Sequence, residues 1–235
     1  MFGVQNDWFK LAATSGIEIQ SASKAPSYAT DASVEDSNGN TQCRTKAGET
    51  QERSCVYKIC GGGDTNNSHN LDDLIEIGEV VSFDTVTHIM CTGIQVVTDN
   101  QNFPTLTVNG IQDTGATAQT HTLTSTGISV IGKKKAQAFG LGTIAAGNFV
   151  TAGSLTINAG LAECADSDGS IVKREPQTIQ ARATNTLQNC DAEPDAPADT
   201  ASGWGLDSPD GLEESNTTHQ VATVEVFKDL TRDGE

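Results

Sequence analysis

The run Val86-Thr87-His88-Ile89-Met90-Cys91-Thr92-Gly93-Ile94-Gln95-Val96-Val97-Thr98 decides how the chain is read. Val, Ile and Thr suit a pleated, half-buried surface, and a segment this rich in them reads as a strand. Gly93 interrupts it, and a glycine inside a strand marks a bend or a bulge. The expectation is a long bent strand, or two strands joined by a bulge, in the core of a β fold.

The same alternation recurs on both sides of this run. Ile17 to Gln20, Cys55 to Cys60 and Glu79 to Phe83 are short β-branched or aromatic segments. Thr105 to Val108 sets Leu106 and Val108 on one face, and Asn109-Gly110 after it is a type I′ turn signal. His121 to Ser125 alternates around Leu123. Ser154 to Asn158 turns Leu155 and Ile157 inward, and Gln177 to Thr184 puts Ile179, Ala181 and Ala183 on one side. Val221 to Phe227 is the last strand. Helical spacing is rare: Ser68 to Gly78 carries Leu71, Leu74 and Ile75 with Gly78 as a stop, and Lys133 to Gly140 is a short helix or a polar loop. The expected fold is mainly β, an antiparallel β-sandwich or partly closed barrel with one or two short helices and long ordered loops.

Residues 1–235 form a single expected domain, with extended loops at about 25–51 and 189–215. Both stretches are rich in polar residues, and the second holds Pro194, Pro197 and Pro209. Structureless loops beyond about 12–15 residues are normally functional or disordered. Neighbouring copies in an assembly are the economical way to hold such loops.

Charge narrows the function classes. The 235 residues carry 14 Lys+Arg against 31 Asp+Glu, a formal net charge of -17, which argues against generic duplex binding. Between Asn100 and Ala162 the only acid is Asp113, whereas the stretch from Asp191 to Glu235 holds twelve acids against Lys228 and Arg232. This imbalance suits either a solvated acidic surface or complementary patches meeting between subunits. The first residues lack the basic and apolar regions of a secretory signal, so no secretory route and no membrane partner are expected.

Motifs that carry chemistry are few and incomplete. The six cysteines, Cys43, Cys55, Cys60, Cys91, Cys164 and Cys190, include no CxxC pair and are expected to be free thiols. Residues five apart on a strand face opposite sides, so Cys55 and Cys60 do not suit one zinc ion. His69, His88, His121 and His219 show no HxH or HExxH spacing. Asp166-Ser167-Asp168-Gly169 opens like a calcium loop but lacks the distant glutamate. Gly61-Gly62-Gly63-Asp64 lacks the ending of a phosphate loop, no GxSxG occurs, and Gly140-Leu141-Gly142 lacks the third glycine of a dinucleotide fingerprint. Lys133-Lys134-Lys135 reads as a solvated loop able to touch phosphate. The sequons at Asn66 and Asn216 match by letter only. No catalytic residue, cofactor or metal is expected, and the chain is not expected to be an enzyme.

Two stretches carry a resemblance. Ala29-Thr30-Asp31-Ala32-Ser33 through Asp36-Ser37-Asn38-Gly39-Asn40, then Ser54-Cys55-Val56-Tyr57, resembles a loop-to-strand pattern of tailed-bacteriophage virion proteins. Trp204-Gly205-Leu206-Asp207, Glu214-Ser215-Asn216-Thr217 and the strand Val221 to Phe227 running on to Leu230 resemble the end of the same class, most like a tail tube protein. The resemblance covers about a third of the chain. It implies a β-sandwich protomer with a flanking helix, forming rings that stack into a tube in the virion, assembled in the host cytoplasm. DNA would pass through the tube as cargo, and the partners would be further copies of the chain and other virion proteins. An acidic lumen, which such tubes often have, would repel phosphates. The competing readings are a capsid decoration or head-closure protein, a bacterial surface adhesin module, and a β-sandwich hydrolase or lectin.

Overall fold

The computed structural model describes residues 6–64, 67–85, 87–113, 128–141, 144, 148–165, 167, 171–189, 213–217 and 221–229. At 27–31, 45–49, 113, 148, 165, 171–172, 189, 213–217 and 221–229 the backbone alone is described. The strands are β1 (Ile17–Glu35), β2 (Thr41–Ile59), β3 (Ser68–Asn70), β4 (Val80–Ser82), β5 (His88–Asp99), β6 (Thr105–Asp113), β7 (Ser129–Ile131), β8 (Asn148–Ala165), β9 (Ile171–Asn189), β10 (Glu213–Thr217) and β11 (Val221–Asp229). Nine of them form one sheet in the order β1-β2-β6-β5-β8-β9-β11-β10, with β4 added beside the start of β5, and β3 pairs with β7 in a separate small sheet. Every pairing is antiparallel. The large sheet does not close: β1 and β10 each have a single strand neighbour among the described residues. The fold is therefore the sandwich of the two expected alternatives, with unequal layers, and not a barrel.

The run around Gly93 is one strand. Its ladder with β6 slips between Cys91 and Gly93, which leaves Thr92 as the extra residue of a bulge. Ile89, Cys91, Ile94 and Val96 point to one face together with Tyr57, Leu106, Val108, Leu155, Ile157, Ile179, Ala181 and Ala183, all buried. Trp8, Phe9, Leu11, Leu71, Ile75, Ile77, Val130 and Phe139 cover that face from the N-terminal segment and the two long connections. Burial of each such side chain is worth roughly 1.5–3 kcal/mol, so this face holds most of the stabilisation. Met90 is also buried, one position from Ile89, and stands outside the main cluster. Adjacent strand residues point to opposite faces, so the sheet is covered on both sides at this point.

Several expectations are corrected. Residues 25–51 are not an extended loop but most of a long hairpin, β1 and β2 paired from Ile17↔Ile59 to Glu35↔Thr41 around a turn at Asp36. Asp36 Oδ1 accepts the Asn38 and Asn40 backbone N–H groups at 2.9 Å each, and Gln42 Nε2 donates to its Oδ2 at 2.9 Å. The expected helix from Ser68 to Gly78 is absent: Ser68–Asn70 is β3, and the apolar residues after it are buried in turns. Lys133 to Gly140 takes the second of its two expected forms, a loop. The only helical segment among the described residues is the 3-10 turn Leu11–Ala13, so the flanking helix implied by the resemblance has no counterpart there. Asn109-Gly110 is no turn but lies inside β6, paired on both sides. The strand expected at His121 to Ser125, and the loop at 189–215 between Asn189 and Glu213, fall outside the described residues.

Candidate functional site

Two features lie outside the core: the sheet face turned away from it and the hairpin that runs past the sheet. The register builds the face row by row. One row is Lys58, Thr105, Val97, Ser154 and Thr184. The next is Val56, Thr107, Gln95, Thr156 and Arg182, and the third is Ser54, Asn109, Gly93, Asn158 and Gln180. Apart from Val56, Val97 and Gly93, these fifteen positions hold hydroxyl and amide side chains and two cations, and the rows continue onto Glu18, Ser21 and Ser23 of β1 and onto Glu225, Phe227 and Asp229 of β11. Lys58 Nζ donates to Thr105 Oγ1 at 2.7 Å and to the Phe103 carbonyl at 3.1 Å. A cavity of about 220 Å³ opens near the base of the hairpin, where Ser23, Glu52, Ser54, Thr92 and Asn109 line it. With Arg53, Ala25 and Ile111 also in the lining, it offers hydrogen bonds, one carboxylate, one guanidinium and apolar surface.

The hairpin is long because both legs alternate without a break. β2 pairs with β6 only from Gln51 to Lys58. Among the described residues, Ser27 to Thr50 therefore belongs to a two-stranded arm. Nine positions from Ser27 to Glu35 span roughly 30 Å at about 3.3 Å per residue. Near its tip Ala32, Val34 and Cys43 are exposed, Val34 to 65%. A second two-stranded extension, Ala159–Ala165 with Ile171–Ile179, leaves the sheet where β8 parts from β5. The buried Arg174 joins the two, with its Nε donating to Glu163 Oε1 and its Nη2 to Thr50 Oγ1, both at 2.7 Å. The first arm is thus braced at its root.

The N-terminal segment is held by polar as well as apolar contacts. Tyr57 Oη donates to Asp7 Oδ1, Asp7 Oδ2 accepts the Ala12 N–H at 2.9 Å, and the Arg53 guanidinium sits 4.8 Å from the centre of the Trp8 ring. Burial pushes the Tyr57 phenol well above its ordinary range.

The residues singled out in the sequence scatter. Cys55 and Cys91 are buried, and burial raises both thiols, which makes them poor nucleophiles. Cys43, Cys60 and Cys164 are exposed and free, and Cys190 lies outside the described residues. His69 is buried with Nε2 2.8 Å from the Gly61 carbonyl. His88 Nδ1 is 3.0 Å from Ser82 Oγ, and His121 and His219 are outside the described residues, as are Asp166, Asp168 and Gly169. Among the described residues no three His, Cys, Asp or Glu side chains gather as metal ligands. Lys133, Lys134 and Lys135 are exposed on a loop that the buried Asn185 pins to the sheet, accepting the Phe139 N–H at 2.8 Å and donating to its carbonyl at 2.9 Å. Lys134 Nζ lies 5.5 Å from the centre of the Phe103 ring. Sequence reasoning missed the arm. Its signal was the turn Asp36-Ser37-Asn38-Gly39 with polar legs of equal length on both sides.

No protein-family model matches the chain, and no curated protein matches it.

Proposed function

We propose that the chain is a self-assembling virion structural protein, in the first place a tail tube subunit that forms stacked rings around a DNA passage. The observation that carries the reading is the β1–β2 arm, which reaches past its own sheet with apolar side chains exposed near its tip. An isolated two-stranded hairpin is marginal in water. An arm that finds a neighbouring copy gains the support its own sheet does not give it. The edges at β1 and β10, which have no second strand neighbour among the described residues, support the same reading, because an unpaired edge is a template for another strand and a ring closes each edge against the next copy. The role is mechanical and involves no turnover.

The test is assembly. The purified full chain is examined by size-exclusion chromatography and negative-stain imaging, beside a variant in which 27–50 is replaced by Asn-Gly. Pro26 and Gln51 are cross-strand partners, so a two-residue turn can close the shortened hairpin. The reading expects rings or tubes from the full chain and a folded, non-assembling variant. Tubes of normal diameter from the variant would refute the role of the arm. A monomer that attaches to preformed capsids would favour a decoration protein instead.

A further inference from the structure

We infer that Asn38 is a site of self-modification, where the chain converts its own asparagine to aspartate and isoaspartate without an enzyme. The chemistry needs an asparagine followed by a residue whose backbone nitrogen can reach the side-chain carbonyl carbon. Two Asn-Gly pairs lie among the described residues, Asn38-Gly39 and Asn109-Gly110, and the fold treats them oppositely.

Asn38 and Gly39 are exposed at the tip of the arm. Gly39 has a φ of 79°, and a Cβ placed on it would meet nothing within 4 Å, so the space around it is open for the rotation about the Asn38 Cα–C bond that brings the Gly39 nitrogen toward Cγ. One restraint on the attacking nitrogen is its hydrogen bond to the Asp36 carbonyl, at 3.0 Å. On a solvated tip such a bond opens at little cost. Asn109 and Gly110 are fixed between strands: Asn109 pairs with Ser54 and Gly93, and Gly110 with Arg53 and Cys91. A Cβ on Gly110 would crowd the Met90 carbonyl, Ile89 and Phe9, so its backbone has no freedom to swing toward a side chain.

In the step, the Gly39 nitrogen loses its proton and bonds to Cγ of Asn38. The side-chain nitrogen leaves as ammonia and a five-membered succinimide remains. Water then opens the ring at either carbonyl, giving aspartate or isoaspartate; nothing is oxidised or reduced, and water is the only co-reactant. Either product places a second carboxylate beside Asp36. Isoaspartate also lengthens the backbone by one carbon within the turn that Asp36 ties together through Asn38, Asn40 and Gln42.

The experiment incubates the full chain at mildly alkaline pH and maps peptides by mass spectrometry over time, with and without urea. Conversion at Asn38 is expected to rise with pH and to run at least about a hundredfold faster than at Asn109 in the native chain, equivalent to about 2.8 kcal/mol of protection at 1.4 kcal/mol per factor of ten. In urea the two sites are expected to converge. Asn38→Gln is expected to abolish the signal at 38, since the longer side chain disfavours the five-membered ring, while leaving Asn109 unchanged. Equal native rates at the two sites, or an unmodified Asn38 when Asn109 converts in urea, would overturn the inference.

Discussion

Replacing Asn185 by alanine tests how the Lys133 to Leu141 loop is held on the sheet. Asn185 is fully buried, and its amide pairs with both backbone groups of Phe139, at 2.8 and 2.9 Å. Phe139 is itself buried at 3% exposure, so truncation leaves a donor and an acceptor without water. Each stranded group costs about 1–3 kcal/mol, so the variant loses about 3 kcal/mol if the loop stays in place. Undocking of the loop would cap that loss at the free energy that docks it. With a urea dependence of about 2–3 kcal/mol per molar, the unfolding midpoint falls by roughly 1 M or somewhat more. Hydrogen exchange at Ala136 to Phe139 should accelerate in parallel. Asn185→Asp sharpens the test: it keeps the acceptor, loses the donor and buries a carboxylate, whose folded pKa is raised. Its stability is therefore best below the ordinary aspartate range, about pH 4, and falls as pH rises above it. A loss under about 0.5 kcal/mol for the alanine variant, with unchanged exchange in the loop, would refute the reasoning.

Two further outcomes follow from the same structure. Ile94→Asp puts a carboxylate at a position 2% exposed in the main core cluster and should cost about 4 kcal/mol or more; soluble, wild-type-like melting would reject its place in the core. Hydrogen bonds from Asn40 and Asn38 hold the Asp36 carboxyl below its ordinary value of 3.8, so the order it lends the arm tip is complete above that value and is lost as pH falls through the lowered one; amide NMR shifts of Asn38 and Asn40 that stay constant between pH 5 and the acid limit would contradict this, pH values chosen to bracket an aspartate at about 4.

The parts of the fold that were legible are those with one wet and one dry face. In β5, β6, β8 and β9 the residues Ile94, Val96, Leu106, Val108, Leu155, Ile157, Ile179 and Ala181 alternate with polar neighbours because one side meets the core. The arm was illegible for the converse reason: its described tip residues are exposed on both faces, so no apolar period marks it. Leu71, Leu74 and Ile75 have helical spacing because they form one helix-like turn, in which the Leu71 carbonyl accepts the Leu74 and Ile75 N–H groups, but the turn does not continue into a helix. Asn109-Gly110 imitates a turn because glycine serves two ends: here it leaves room for Phe9 and the Met90 carbonyl rather than reversing the chain. The candidate site was hidden for a related reason. An even face of Thr, Ser, Asn and Gln has no motif, and only the register shows that these residues stand side by side.

That register also locates the charge. A chain with 31 acids against 14 cations has no carboxylate at fifteen adjoining positions in the middle of this face, but the same rows end on Glu18 of β1, opposite Lys58, and on Glu225 and Asp229 of β11, opposite Thr184 and Gln180. The acidic positions of this face therefore stand at its margins, on β1 and β11, around a centre of hydroxyl and amide positions. Within the tube reading, a lumen lined by this sheet face would set acidic margins around a hydroxyl- and amide-lined centre, so free passage of DNA would combine weak attraction at the centre with repulsion at the margins. With a formal net charge of -17, copies of the chain repel one another at low ionic strength, and at about 0.15 M salt screening limits that repulsion to about 8 Å. Copies of the chain should thus associate more readily as salt rises, the opposite of what cation-driven binding to a polyanion would show.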